Sequence, residues 1–430
     1  MSYQSLSQAD EEGLLQREWL SSRSSSLDDG TVVSYNDKEN NKWLGLLKTT
    51  ILILFLGALV SVGYVTYSYS YSISIGSNRI RSSSSIINGQ LILIEDDDGR
   101  IEYSTLSDDE KILLFKDFVK GYSKSYSNET EENIRYSKFT ETLSVIDSRN
   151  MKEKDKGGSA VHGITKYSDM TSDEFSQVFL VAKASLDDDV EDTGVPVNVD
   201  PYLGTDEIVS WVDVYTSGVH DQGYCGACWA YSVTQQMQAD GVRSGIFTLN
   251  TSLSAQQILA CDDQSFGCEG GWTERAYQYV QQKGGVALDS DYPYTAYYDF
   301  TGVCKDEHAK LYASTDGYYT VNGEQAMIDY VKSTGPLSVC VDATDWASYV
   351  KGVVSSCGTD VNHCVQVVAV DTASNNGYWQ IRNSWGTEWG EGGYIRLSVG
   401  QDMCGITTDP TFSSPYIIDS ATRQKIRAKQ

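Results

Sequence analysis

The chain has 430 residues, 40% of them hydrophobic, enough to build cores for two or three folded units, which excludes a wholly disordered protein. Its 33 basic and 59 acidic residues leave a net charge of −26, which repels nucleic acid and excludes it as a partner. All nine cysteines fall between Cys225 and Cys404, pointing to a disulfide framework in an oxidising compartment, and the odd count leaves at least one thiol over.

Residues 1–42 are polar, Ser-rich and charged, without a sustained apolar period, and read as disordered within a cytosolic tail over 1–48. Two short patterns in it, "DEEGLL" (Asp10 to Leu15) and "YQSL" (Tyr3 to Leu6), resemble signals for sorting adaptors. From Thr49 to Asn78 no residue is charged, and "ILILFLGALVSVGYV" at the centre is apolar enough to cross a hydrocarbon layer of ~30 Å. Residues 49–70 are therefore expected to be one transmembrane signal anchor. The long polar stretch ahead of them excludes a cleavable signal peptide. Lys38, Lys42 and Lys48 precede the anchor, and disulfide chemistry belongs to a lumen, so the N-terminus is expected in the cytosol as a single-pass type II protein. Beyond it, the tyrosines of "YSYSYSISI" suit the membrane interface, within a lumenal linker over 71–106.

The next unit spans 107–204. In "LSDDEKILLFKDFVKGY" the pair Ser107 and Glu110 forms a capping-box pattern, and Ile112, Phe115, Val119 and Tyr122 recur at helical spacing. In "ETEENIRYSKFTETLSVIDSRN" the residues Glu131, Arg135, Phe139, Thr142, Ile146 and Asn150 fall on one helical stripe. "GITKYSD" then reads as extended. The acidic "SLDDDVEDTGVPVNVD" reads as an exposed, cleavable linker to a cysteine-bearing unit at 205–419, which a short tail, 420–430, follows.

That unit opens with "QGYCGACW", residues 222–229. A zinc knuckle would need a second close pair of Cys or His, which Cys261, Cys268 and Cys304 do not supply, so no metal is expected. A thioredoxin-like pair would have its Trp before the first cysteine, whereas Trp229 follows the second. A nucleophilic Cys228 remains, and it demands a base, an orienting group and an oxyanion donor. His363, one of only four histidines, opens the apolar run "VNHCVQVVAV", and Asn383 in "QIRNSWGTEWGEGGYIRL" can fix its tautomer. Gln222 can donate to a developing oxyanion beside the Cys228 N–H. "CWAYSVTQQMQADGVRSG" reads as a helix with Cys228 at its N-terminus, where the helix dipole and a neighbouring imidazolium are expected to lower the thiol pKa and leave the nucleophile charged at rest.

With "GCEGGW", "DYPYTA", "GPLSV" and "NSWGTEWGEGGYI" in the same order, the chain resembles the papain family of cysteine proteases, nearest to cathepsin L, over residues 107–415. The C-G-[SA]-C-[WY] pattern, with His and Asn ~130–150 residues downstream, is that family's own signature. The resemblance implies an α+β fold of a helical lobe and a β-barrel-like lobe, and an inhibitory helical pro-segment over 107–204. Thr142, Thr165 and Tyr167 depart mildly from the usual pro-segment pattern. It implies disulfides Cys225–Cys268, Cys261–Cys304 and Cys357–Cys404. Cys340 and Cys364 are left at positions resembling walls of the pocket for the substrate's P2 side chain, either paired or as two buried thiols. Substrate contacts are implied at Gly270, Gly271, Trp272, Cys340, Asn362, Cys364, Trp385 and Asp409, with Trp385 screening the Asn–His contact and Asp409 on the pocket floor.

The function implied is a cofactor-free endopeptidase with protein and peptide substrates, made as a zymogen for an acidic endosomal, lysosomal or vacuolar compartment and released there or secreted. The rivals are a catalytically silent binding protein of the same fold and an exopeptidase, though no His-His insertion lies between Cys268 and Cys304. His162, His220 and His308 are expected at the solvated surface.

Overall fold

The computed structural model describes residues 84–87, 90–180, 193–205, 207–305, 309–373 and 377–419. The expected cytosolic tail, the anchor at 49–70, the Tyr-Ser repeat, His308 and the C-terminal tail lie outside them. Among the described residues no helix is long and apolar enough to cross a membrane.

The first elements are a hairpin of β1 (Ser84–Ile87) and β2 (Gln90–Leu93), then α1 (Asp108–Gly121), whose Ser107–Glu110 capping box satisfies two orphan N–H groups. α2 (Glu129–Asp155) starts at Asn128, which accepts the Glu131 N–H. The helices meet through Phe115, Phe118, Phe139, Leu143 and Ile146, with the Phe118 and Phe139 rings 5.1 Å apart. Ile112, on the expected apolar face of α1, is 40% exposed, and Leu114 and Phe118 are buried instead. Residues 90–106, expected as linker, belong to this core: Tyr103 and Leu106 are buried in it, and the Asp147 carboxylate accepts the N–H groups of Tyr103 and Ser104.

The polar members of the α2 stripe bind the chain that follows. Arg135 donates to the Asp169 carbonyl, Thr142 to the Met170 carbonyl, and Asn150 exchanges two hydrogen bonds with the His162 main chain. The Asp169 carboxylate is held by Lys124 and Tyr126, so it organises the pro-segment from within. "GITKYSD" is extended only as far as Thr165; Lys166 to Asp169 turn, with Ser168 Oγ accepting the Thr165 N–H. A third helix, α3 (Ser172–Phe179), was not expected. Its signal was present as a capping box, Thr171 with Glu174, ahead of Phe175 and Phe179.

The cysteine-bearing unit has two cores. The helical one packs α4 (Cys228–Arg243), α5 (Ala255–Cys261) and α6 (Thr273–Lys283). α4 is buried all round from Cys228 to Gly241, and its polar groups have partners: Ser232 donates to the Val365 carbonyl, Gln236 to the Pro336 carbonyl, and Asp240 accepts the Ser413 N–H. The second core lies on a ten-stranded sheet and α7 (Glu324–Ser333). In chain order the remaining strands are β3 (Val161–His162), β4 (Val195–Pro196), β5 (Ile208–Ser210), β6 (Val286–Ala287), β7 (Leu311–Thr320), β8 (Leu337–Val341), β9 (Tyr349–Lys351), β10 (Val353–Val354), β11 (His363–Asp371), β12 (Tyr378–Arg382), β13 (Tyr394–Ser398) and β14 (Thr411–Ile417). The sheet runs β10-β13-β12-β11-β8-β14-β7-β4, and β5 and β6 add to β11 and β7. β3 of the pro-segment pairs with β9. β4, expected as pro-segment linker, pairs parallel with β7 and ends the sheet on that side.

Candidate active site

Cys228 is the first residue of α4 and is 0% exposed. The loop before it is fixed by the Cys225–Cys268 disulfide and by the Gly226 N–H donating to the Cys268 carbonyl at 2.8 Å. Trp229 Nε1 donates to the Gly267 carbonyl, and its ring lies so close to Gly271 that a Cβ there would sit 2.6 Å from it, which reserves the position for glycine. Gly270 has a φ of 120°, again a glycine conformation. Gln222 is fully buried; its Nε2 donates to the Cys225 carbonyl at 2.7 Å and its Oε1 accepts from Ser384 Oγ at 2.6 Å.

β11 delivers His363 as its first residue, and Asn383 directly follows β12. His363 Nε2 lies 2.8 Å from Asn383 Oδ1. The same oxygen accepts the Ser384 N–H at 2.8 Å, so it has no hydrogen of its own to offer and Nε2 must carry the proton. His363 Nδ1 has no hydrogen-bond partner and is the nitrogen left free to exchange a proton. Trp385 lies 4.7 Å from the imidazole, ring to ring, and is 0% exposed, which shields the His–Asn bond from water. Trp389 and Trp346 back it from the sheet, and Tyr167 and Phe175 of the pro-segment close over it at 5.8 and 5.2 Å.

Burial pushes the Cys228 thiol up to about 11, although the main-chain N–H groups of Cys364, Trp229 and Cys228 itself oppose the shift. Burial likewise pushes His363 down to about 4 against the Asn383 bond. In this closed state burial thus works against the thiolate and the imidazolium that the sequence leads one to expect. Desolvation penalises both charged forms.

Cys228, Cys340, Cys364 and Val361 form one apolar cluster with Trp272 against it. The open question about the two remaining cysteines is resolved, because Cys340 and Cys364 face each other across β8 and β11 and are bonded. The other bridges join Cys225 to Cys268, Cys261 to Cys304 and Cys357 to Cys404, leaving Cys228 as the free cysteine. Asn362 is turned to the neighbouring loop, accepting the Ala343 N–H and donating to Thr344 Oγ1. Asp409 Oδ2 accepts from Thr273 Oγ1 at 2.7 Å, at the first residue of α6 beside Trp272. No cluster of His, Cys, Asp or Glu suited to a metal occurs among the described residues.

Several contacts of the pro-segment were not read from the sequence. Arg149 donates to Asp345 and Ser348, and the buried Glu153 accepts from Ser355 and the Ser356 N–H. Both continue the α2 stripe by steps of three beyond Ile146 and Asn150, but their partners are about 200 residues away and leave no local signal. His162, expected at the surface, is 4% exposed with Nδ1 3.0 Å from Ser348 Oγ, because β3 pairs with β9 and carries it against the cysteine-bearing unit. His220 is half-buried, its ring 5.4 Å from Tyr231.

Residues 206–414 match the family model described as papain family cysteine protease, and residues 115–175 match the cathepsin propeptide inhibitor domain. Cathepsin L 1 of Paramecium tetraurelia is 32% identical over 305 residues, covering 70% of this chain and 91% of its own.

The chain belongs to the papain family of cysteine proteases.

Fruit bromelain of Ananas comosus, another relative, is 30% identical over 342 residues, covering 74% of this chain and 90% of its own. Among solved structures, digestive procathepsin L2 of Tenebrio molitor has a TM-score of 0.62 at 27% identity and covers 71% of this chain and 99% of its own. The recombinant stem bromelain precursor has a TM-score of 0.59 at 28% identity, covering 71% and 98%. The protein is therefore a papain-like cysteine protease in an α+β fold, carried as a proenzyme with its inhibitory propeptide.

Proposed function

We propose that this papain-family proenzyme is an endopeptidase whose active residues are Cys228, His363, Asn383 and Gln222. The observation that carries it is the His363 Nε2–Asn383 Oδ1 bond at 2.8 Å, which leaves Nδ1 open while Cys228 is the free thiol at a helix N-terminus. Removal of the pro-segment restores water to the cleft and lifts the desolvation that opposes both charged forms. Cys228 then passes its proton to His363 and attacks the substrate carbonyl. The Cys228 N–H and the second N–H of Gln222 Nε2 receive the oxyanion. His363 protonates the leaving amine, and afterwards takes a proton from the water that hydrolyses the acyl-enzyme. The P2 side chain enters against Trp272, Cys340 and Cys364, with Gly270, Gly271 and Asn362 on the cleft walls. Asp409 lies at the end of the pocket, so apolar P2 residues are accepted and basic ones tolerated.

In the cell, residues 49–70 anchor the zymogen as a type II protein with sorting-adaptor signals in the cytosolic tail, and an acidic endosomal or lysosomal lumen releases the enzyme. Support comes from the uncharged stretch Thr49 to Asn78 and from disulfides confined to the C-terminal side. The test is an epoxide inhibitor applied to acid-processed protein: one label at Cys228 and loss of peptidase activity are expected. Peptide cleavage by Cys228→Ala would overturn the mechanism.

A further inference from the structure

The cleft cluster is rich in sulfur. Cys228, Cys340 and Cys364 pack with Val361 and Trp272, and none of the three cysteines is more than 2% exposed. The other three bridges lie elsewhere: Cys225–Cys268 is part of the helical core, Cys404 belongs to the sheet core with Cys357 against it, and Cys261 neighbours Tyr292. One disulfide thus shares an apolar enclosure with the free thiol. The contact is direct, since Cys228, Cys340 and Cys364 pack in one cluster of buried residues. Cys340 and Cys364 are also directly opposed residues of an antiparallel ladder, with His363 opposite Val341 and Val365 opposite Val339 on either side. Main-chain hydrogen bonds therefore hold both half-cystines in place whether or not their sulfurs are joined.

We propose that the Cys340–Cys364 disulfide is an internal exchange partner for Cys228, a built-in modification site that reversibly blocks the catalytic thiol. The Cys228 thiolate attacks the Cys364 sulfur, the Cys228–Cys364 bond forms, and the Cys340–Cys364 bond breaks with its electron pair leaving on Cys340. The proton given up by Cys228 ends on the Cys340 thiolate. One disulfide and one thiol stand on each side of the step, so no external oxidant is needed, and attack by Cys340 restores the starting state. The proposal rests on Cys228 being the reactive nucleophile. It makes the enzyme self-silencing when no substrate occupies the cleft, and it makes added thiol protect activity even without oxygen.

The experiment follows the position of the single free thiol. Acid-processed enzyme is held without reductant in oxygen-free buffer, then denatured in acid with a maleimide and mapped without reduction. Total label should stay at one per molecule while it moves from Cys228 to Cys340, with a linked Cys228–Cys364 peptide and a proportional loss of peptidase activity that a small thiol reverses. In Cys228→Ala neither Cys340 nor Cys364 should take label, which separates exchange from partial reduction. Label confined to Cys228 throughout overturns exchange and leaves the catalytic assignment untouched. Peptide cleavage by Cys228→Ala overturns the catalytic assignment, whatever the label positions.

Discussion

Phe175 of the pro-segment stands at right angles to Trp385 of the enzyme, with ring centroids 5.2 Å apart and planes at 88°, directly over the indole that covers the His363–Asn383 bond. The propeptide thus reaches the His363–Asn383 pair through an aromatic stack on Trp385. Phe175 is 1% exposed, so truncating it leaves a cavity at this contact. Phe175→Ala should weaken the closed state by about 3 kcal/mol, roughly 100-fold in its closing equilibrium. The check is the rate at which purified zymogen gains activity at neutral pH, which should rise; an unchanged rate would show that the stack does not hold the pro-segment down.

The triad should act as a unit. Cys228→Ala is expected to lower kcat by about 10⁴-fold or more, and adding Asn383→Ala to it should cost little further, because a base without a nucleophile has nothing to deprotonate. Asn383→Ala alone should cost about 10²-fold through loss of the fixed imidazole tautomer. Steady-state kinetics on one fluorogenic peptide measure all three, and additive losses would break the assignment.

His162 gives the closed state an acid-sensitive contact. Burial, with Arg149 and Arg100 adding to it against Asp345, pushes its pKa down to about 3. Released into water it returns toward ~6.5, so the open state binds the extra proton. Docking is thus fully stable above that value and weakens as the pH falls through it, by about 3 kcal/mol at pH ~4.5. Glu153 opposes this, since burial raises its pKa and a protonated Glu153 favours the closed state. His162→Gln should therefore need a lower pH for half-maximal processing, measured by the appearance of mature protein across a pH series. A midpoint that does not move would assign the acid response to other groups.

Asp409 is expected to set tolerance for basic P2 residues. Its carboxylate already accepts a hydrogen bond from Thr273, which orients it beside Trp272. Asp409→Ala should reduce the kcat/KM ratio of P2-Arg to P2-Leu peptides by about tenfold, mostly through the arginine substrate. A ratio equal to that of the unaltered enzyme would mean that the carboxylate does not face the substrate.

Much of this protein was written locally. The Ser107–Glu110 capping box, the α2 stripe from Glu131 to Asn150 and the family motifs around Cys228, His363 and Asn383 depend on residue type and near spacing, which fix a helix face or a chemistry before any tertiary contact forms. α3 is legible by the same rule through Thr171 and Glu174.

What folding alone decided depends on distant neighbours. Cys340 and Cys364 bond because β8 and β11 align them in register, a pairing that neither sequence segment specifies. His162 and Glu153 are ordinary surface residue types, yet β9 and the Ser355–Ser356 loop bury them. Residues 90–106 look like linker until Tyr103 and Leu106 find the α1–α2 core. The electrostatics of the site depend on distant neighbours in the same way. Helix position and residue identity favour a thiolate at Cys228, but the burial it acquires among Cys340, Val361 and Cys364 pushes its pKa the other way.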